Sequence, residues 1–557
     1  MERLGVAMDL GTSGIRAQAV DLDSGAIVST CISLAHPLPG ANLMDHLHFV
    51  LELGMPAATG IVLAAINKIL AGLCVPPQTI RRLAVCGNPV QISLFQGLEV
   101  RDLAYTGTRK LRQMGIASPD RMGTILPAGE VKGLALPATC EVVIPPAVSH
   151  AVGADGLAMI LQSGIGQRQG TALITDYGTN AEMALCHEGR IITASAAAGP
   201  ALEGRQISCG MLAGPGAVTD VQQLPDSSYV TVVLDDGMLP VKGPRVDLER
   251  PSAVARGQTA IRGITGTGVV AVLCEAMKAG HVRLPHILTP DGLLHLGPEI
   301  YLDESDLKEV GKAVGAIRAG HMALCHEAGI GYQDVQTVYM AGAAGTYVDA
   351  VKAQWLGLLP SRAASVTQVG NTSLKMARSL VMDADMFEKM RRMAARLRRD
   401  HCMLASSAIF KKIYLLELAY WTEGMPMHSY RSLLSRYGLK DLPVQFSNPL
   451  VRRAMQCDMD VLGRLGLRVI EEIGQRSCRP VAACTACGIC IGACPQSALE
   501  LMSEADLPVI RLIHSRCAGV SCKQCERACP EKVMILADFF STCVARWRHG
   551  DTRSSHS

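Results

Sequence analysis

Apolar residues occur in short runs cut by glycine and polar turns, and the runs alternate with longer segments of helical period. The first run, Val6-Ala7-Met8, leads into Asp9-Leu10-Gly11-Thr12-Ser13-Gly14 and then into apolar residues 17–21 and 26–33, the last two joined by Asp23-Ser24-Gly25. This pattern predicts three strands joined by hairpins, with Gly11 and Gly14 expected to supply positive φ at the first turn. The same order returns later. An apolar run at 172–175 enters Asp176-Tyr177-Gly178-Thr179-Asn180, and runs at 181–186 and 190–193 flank the turn His187-Glu188-Gly189. Repetition of a whole supersecondary unit speaks to the fold, not only to local structure. Between the copies the pattern predicts an apolar helix over 49–73, a strand over 82–86 closed by Gly87-Asn88-Pro89, and a strand, turn and helix over 142–163. Strands alternating with helices predict an α/β architecture. Further on, Met386, Met390, Met393 and Leu397 share one helical face, while Lys389, Arg391, Arg392, Arg396, Arg398 and Arg399 crowd the others, which predicts a solvated helix. An apolar helix over 410–420 and a loop over 437–443 follow.

At 557 residues the chain is too long for one core. Four spans are expected: lobes over 1–165 and 166–385, a helical linking region over 386–475, and a small α+β tail over 476–557. A formal net charge of +3 gives no basic field for nucleic acid. Hydrophobic residues make up 49%, but the longest apolar stretch, 50–75, is broken by Glu52, Asn67 and Lys68. A buried helix is therefore expected there, and no membrane partner. Residues 1–14 carry Asp9 and no long apolar segment of a signal peptide. With twenty cysteines and no export signal, a reducing, cytoplasmic setting is expected.

The tail carries the most specific signal. Cys484, Cys487, Cys490 and Cys494-Pro495 form C-x2-C-x2-C-x3-C-P; Cys517, Cys522, Cys525 and Cys529-Pro530 repeat it with a longer first gap. This is the run that holds [4Fe–4S] clusters in bacterial ferredoxins, where the fourth cysteine serves the other cluster. Cys484, Cys487, Cys490 and Cys529 are thus assigned to one cluster, and Cys517, Cys522, Cys525 and Cys494 to the second. Zinc sites usually pair cysteines across a long gap, so zinc is the weaker reading. The tail's ten Lys or Arg against seven Asp or Glu are not the acidic balance of a free ferredoxin.

The two repeated turns suit phosphate. Each aims backbone N–H groups and hydroxyls, Thr12 and Ser13 in the first and Thr179 in the second, into one concavity. Asp9 and Asp176, at the strand ends, are placed to orient Mg2+ through water. Gln91, after the 87–89 turn, is a candidate for positioning an attacking water. Thr337-Val338-Tyr339-Met340-Ala341-Gly342-Ala343-Ala344-Gly345 reads as a buried strand ending in small residues that admit a flat ligand. No G-x4-G-K-[ST] is present, and Gly164-Ile165-Gly166 lacks the third glycine of a dinucleotide fingerprint, so a P-loop ATPase and NAD are both set aside.

These features resemble the actin, hexokinase and heat-shock chaperone ATPases. The resemblance implies a two-lobed α/β ATPase, with Asp9, Gly11, Thr12, Ser13 and Gly14 as the first phosphate hairpin, Asp176, Gly178, Thr179 and Asn180 as the second, and Gly342, Ala343 and Gly345 at the adenosine. The strings Gly199-Pro200-Ala201-Leu202-Glu203-Gly204, Gly263-Ile264-Thr265-Gly266-Thr267-Gly268, Ala341-Gly342-Ala343-Ala344-Gly345 and Gly370-Asn371-Thr372-Ser373, followed by a two-cluster ferredoxin-like tail, are more specific. Together they resemble the reductive activators of corrinoid proteins, in particular those serving methylamine methyltransferases. That resemblance implies ATP-dependent reduction of an inactive Co(II) corrinoid to Co(I). It also implies two [4Fe–4S] clusters, ATP and Mg2+ as cofactors, with a corrinoid protein and a low-potential electron donor as partners. Many relatives carry an N-terminal [2Fe–2S] domain, whereas the first cysteine here is Cys31. Alternatives are an activator of 2-hydroxyacyl-CoA dehydratases, which would share one cluster between subunits, and an electron carrier that only senses ATP. A sugar kinase would leave the cysteines unexplained.

Overall fold

The strand Leu4–Leu10 (β1) is buried at all seven positions, as a central strand covered on both faces must be. It pairs antiparallel with Ile15–Asp21 (β2), which pairs antiparallel with Ile27–Ser33 (β3). On its other side β1 lies parallel to Ile80–Gly87 (β4). Beyond β4 come Thr124–Pro127 (β5) and Glu141–Ile144 (β6), giving a seven-stranded sheet whose far edge is Leu467–Ile470, parallel to β3. The second sheet repeats the plan. Ala172–Tyr177 (β7), Asn180–His187 (β8) and Arg190–Ala197 (β9) form an antiparallel meander, and Thr337–Ala341 lies parallel to β7. Ser365–Gly370 and Leu450–Arg453 complete six strands. The expected α/β class and the repeated meander are therefore present.

The structure is a computed structural model that describes residues 2–540, except 41, 106–107, 252–259, 441, 443–446, 456–458, 460, 475, 482 and 505–506. Of the loop expected over 437–443, residues 441 and 443 thus lie outside the described residues. The chain forms two compact units. One comprises Met1–Pro145, Leu380–Asp383 and Gly463–Ser557; the other comprises Pro146–Ser379 and Ala384–Leu462. This grouping differs from the four sequence spans. The helix Ala154–Ser163 belongs with the second sheet, and the linking region is shared, lending one edge strand to each sheet.

The first unit has one core for lobe and tail together. It joins Leu4, Phe49 and Ile66 to Ile473, Cys490, Leu512, Phe539 and Phe540. The tail's own sheet sets Leu507–Ile513 between Arg476–Pro480 and Leu499–Glu504, all antiparallel.

The apolar segment expected as one helix over 49–73 is two, Leu43–Leu53 (α1) and Met55–Gly72 (α2). Gly54 at φ 84° breaks it, and Pro56 starts the next turn. α2 is long and apolar enough to span a membrane by composition, but most of it is buried within the protein. In the second unit Ala408–Glu423, the expected apolar helix, packs on Glu304–Glu327. The basic helix Asp385–Leu397 buries Phe387, Met390, Ala394 and Leu397. Its stripe is thus shifted from the expected set, leaving Met386 and Met393 half-buried.

Candidate functional site

Each unit carries one of the two hairpins. In the first, β1 and β2 meet at residues 11–14, where Gly11 N–H donates to Gly14 O at 3.1 Å. Neither glycine takes positive φ, contrary to the sequence expectation. Gly11 is needed for room, because a Cβ there would meet Gly14 O at 2.8 Å. Asp9, Thr12 and Ser13 are buried beside this turn. Asn88 Nδ2 donates to Thr12 Oγ1 at 2.9 Å, while its Oδ1 accepts from Val90 N and Gln91 N to cap the helix Pro89–Gln96 (α3). Sequence reasoning placed Asn88 in a turn but missed this bond to the hairpin.

Gln91 does not stand beside an open cleft. It is 0% exposed, and its amide is held between two histidines. His36 Nε2 meets Gln91 Oε1 at 2.9 Å and Gln91 Nε2 meets His46 Nδ1 at 2.8 Å, with the rings stacked 4.2 Å apart. Both ends of the amide are taken, so the expected water-positioning role is corrected to an interior one. The proton order can be read from the partners. Leu38 N–H donates to His36 Nδ1, so His36 Nε2 carries the proton and donates to Gln91 Oε1. Gln91 Nε2 then donates to His46 Nδ1. This leaves His46 Nε2 as a buried N–H with no acceptor among the described residues. Burial, and then the neighbouring His36, holds His46 well below the usual histidine range, so it is neutral.

In the second unit, β7 and β8 meet at Gly178-Thr179, and Thr179 Oγ1 donates to Glu203. Gly178 again takes no positive φ; a Cβ would meet Asn180 O at 3.2 Å. Asp176 lies opposite Ala341 of the parallel strand. The next residue, Gly342, has φ +82°, and a Cβ there would meet Asp176 Oδ1 at 2.2 Å. The second hairpin and the segment of Gly342, Ala343 and Gly345 are thus brought together, and only glycine fits the junction. Glu182, paired across from Asp176, is pushed well above the usual carboxylate range by burial and then by Asp155 and Asp176. Asp155, in the first turn of the helix Ala154–Ser163, thus stands near Asp176 and Glu182. No local pattern in the sequence brought Asp155 and Glu182 to Asp176.

The tail folds as two copies of one loop. Gly488 and Lys523, each one residue after a second cysteine, are left-handed caps of short helices, Ile489–Gly492 and Gln524–Ala528. Ser497 N–H donates to Cys494 O and Lys532 N–H to Cys529 O, both at 3.2 Å, and Ser497 and Lys532 both have positive φ. Cys484, Cys487, Cys490 and Cys529 line one small cavity with Ile491, Leu501, Ile510 and Met534. Burial raises the Cys490 thiol, and Cys529, Cys484 and Cys487 raise it further. Burial likewise pushes Cys517 up to about 12, with Cys525, Cys494 and Cys522 adding to the shift. Cys484, Cys487, Cys490 and Cys529 thus lie near one another, as do Cys517, Cys522, Cys525 and Cys494. Four thiols crowded this way ionise together only against a positive centre, so the donor set fits an iron–sulfur cluster. No three His, Cys, Asp or Glu side chains among the described residues close on a single ion. The longer gap of the second run places Gly519 N–H on Cys517 Sγ at 3.4 Å.

Comparison with known proteins adds to this geometry. The family description "RACo middle region" matches residues 4–168, and "C-terminal domain of RACo the ASKHA domain" matches residues 170–431. The chain is 42% identical over 527 residues to a Methanosarcina barkeri protein named as the Co(II) methylated amine-specific corrinoid protein reductase, covering 93% of this chain and 95% of that one. It is 24% identical over 407 residues to the corrinoid activation enzyme RamQ of Eubacterium limosum, covering 66% of this chain and 62% of the relative. Among solved structures, a reductive activator for corrinoid,iron-sulfur protein superposes with TM-score 0.62 at 24% identity, over 75% of this chain and 66% of that one. This last likeness shows the fold.

Proposed function

The chain belongs to the family of the Co(II) methylated amine-specific corrinoid protein reductase, and on that premise we propose that it is an ATP-dependent reductive activator that returns a Co(II) corrinoid protein to Co(I). One observation carries the reading: a single compact unit holds both an Asp-x-Gly-Thr hairpin and the eight cysteines of the two tail runs. The partner is the corrinoid protein of a methyltransferase system, with methylated amines as the favoured substrate class of that system. The reaction adds one electron to cobalt, supplied by a low-potential donor.

Two [4Fe–4S] clusters would be held by Cys484, Cys487, Cys490 and Cys529 and by Cys517, Cys522, Cys525 and Cys494; when bound they supply one-electron transfer at low potential. Thr12 and Ser13 in the first unit, and Gly178, Thr179 and Asn180 in the second, are each suited to phosphate. Asp9 and Asp176 would each orient Mg2+, and Gly342, Ala343 and Gly345 would admit the adenosine. For one electron each ~59 mV of uphill gap is a factor of ten, so a gap of several such steps requires coupling to nucleotide. The coupling acts by differential affinity: ATP favours the form of the activator that holds the Co(II) protein in a more reducible state.

The test compares iron-loaded and iron-stripped full-length protein, with a Co(II) corrinoid protein, Mg-ATP and a low-potential reductant under anaerobic conditions. Co(I) absorbance should develop only with the loaded protein. Equal rates from stripped protein would refute the proposal.

A further inference from the structure

The first unit contains a hydrogen-bonded route from its hairpin to one of its cysteine loops. The route leaves the hairpin by two branches. Thr12 is held by Asn88, the cap of α3, and α3 carries Gln91. Ile15 N–H donates to Ser33 Oγ at 2.8 Å, and Ser33 donates in turn to Ala35 O at 2.8 Å, one residue before His36. Both branches converge where Gln91 bridges His36 and His46.

From there the route reaches the second cysteine run along two paths. The loop that begins at His36 ends at Gly40, whose N–H donates to Cys517 O at 2.9 Å. A Cβ on Gly519 would lie 3.4 Å from Gly40 Cα, so this loop and the cysteine loop are in contact. The helix α1, which carries His46, receives Ser521 Oγ on Asp45 Oδ1 at 2.8 Å and Lys523 Nζ on Glu52 at 3.0 Å. Gly519, seated on Gly40, also donates its N–H to Cys517 Sγ. Hydrogen bonds to cysteine sulfur help set a cluster's potential. A shift of residues 36–40 would therefore act on that bond directly. Burying a neutral histidine pair and an amide here, with one N–H of His46 unmet, costs stability that packing alone does not require.

We infer that Gln91, His36 and His46 are positioning residues that tie nucleotide occupancy at the 9–14 hairpin to the potential of the cluster held by Cys517, Cys522, Cys525 and Cys494. The inference rests on the nucleotide and cluster assignments of the preceding subsection. Its physical content is a chain of hydrogen bonds and short backbone segments inside one compact unit. By linkage, a nucleotide that shifts this potential must itself bind the oxidised and reduced protein with affinities differing by the same factor.

The test is a potentiometric titration of the full chain, iron-loaded and followed by EPR, without nucleotide, with Mg-ADP and with a non-hydrolysable Mg-ATP analogue. In wild type the analogue should move one of the two cluster signals by about tenfold in its reduced-to-oxidised ratio at fixed potential, ~59 mV for one electron, and leave the other in place. Affinity for the analogue should differ between oxidised and reduced protein by the same factor. Gln91→Leu should keep iron and bind the analogue but lose the shift. Gln91→Glu, which can accept a hydrogen bond from each imidazole, should restore part of it. If Gln91→Leu fails to fold, Ser521→Ala at the exposed far end carries the test and should shrink the shift. Unchanged potentials in wild type, or an undiminished shift in the Gln91→Leu or Ser521→Ala protein, would overturn the inference. A chain that binds no nucleotide or no iron would instead remove its premise.

Discussion

At the scale of the residue, the two hairpin aspartates and the crossed cysteines make separable predictions. Asp9→Ala and Asp176→Ala should each lower ATP hydrolysis by on the order of 10²–10³, the loss typical of one electrostatic group at a transition state. Both should keep the brown absorbance of the loaded protein, because neither residue belongs to a cysteine ring. A steady-state phosphate assay beside a visible spectrum checks this. Cys529→Ala should strip the set of Cys484, Cys487 and Cys490 and lower bound iron from about eight to about four per chain. Cys529 is also the thiol whose charge the backbone supports: burial raises it, but N–H groups of Met534, Val533, Glu531 and Lys532 together hold it below the usual cysteine value. Glu182 gives a pH prediction. Its folded form holds a proton that the unfolded chain releases near 4.5, so its contribution to stability is full below that value and is lost as pH rises toward the higher folded value. Glu182→Gln keeps the shape without the charge. Relative to wild type it should therefore gain stability as pH rises above 4.5, read from urea midpoints without nucleotide.

At the scale of the element, the helix Ala408–Glu423 of the linking region is part of the second unit's interior, not a tether. Glu304–Glu327 and Ala408–Glu423 approach closely because Gly311 and Gly315 leave no side chain between them; a Cβ on Gly311 would meet Trp421 Cβ at 2.5 Å and one on Gly315 would meet Glu417 Cβ at 2.6 Å. Between the helices, Arg318 Nε donates to Glu417 Oε1 at 2.6 Å, and Tyr430 donates to the same carboxylate. Glu417 is 0% exposed. Glu417→Ala would leave the Arg318 charge buried without its partner and should cost about 3–5 kcal/mol in chemical denaturation. The glycines and the apolar helix were visible in the sequence; their pairing was not, because it joins residues about a hundred apart without a local signal. The same holds for the edge strand Leu467–Ile470, which completes β3's sheet from the far end of the chain. What could be read directly was local. Cysteine spacing, the Asp-x-Gly-Thr turns and the glycine strings each state their chemistry within a dozen residues. Gln91 misled because a polar residue after a strand and turn looks alike whether it faces water or two buried histidines.

At the scale of the whole molecule, the tail is built into the first unit. Phe49 of α1 meets Phe540 edge-on with ring centres 5.0 Å apart, and Lys523 of the tail donates to Glu52 of α1 at 3.0 Å. A chain ending near residue 475 would uncover Phe49 and its neighbours. It is therefore expected to melt below the full protein and to lose ATP hydrolysis in part, read by calorimetry and a phosphate assay. Full stability in the truncated chain would show that the shared core is dispensable. In the proposed reaction ATP drives one electron uphill to cobalt. The direct measurement is the visible spectrum of a Co(II) corrinoid protein from a methylamine methyltransferase system, mixed anaerobically with this protein, Mg2+ and a low-potential reductant, with and without ATP. The account predicts conversion to the Co(I) spectrum with ATP and persistence of Co(II) without it; equal conversion in both, or in neither, would contradict it.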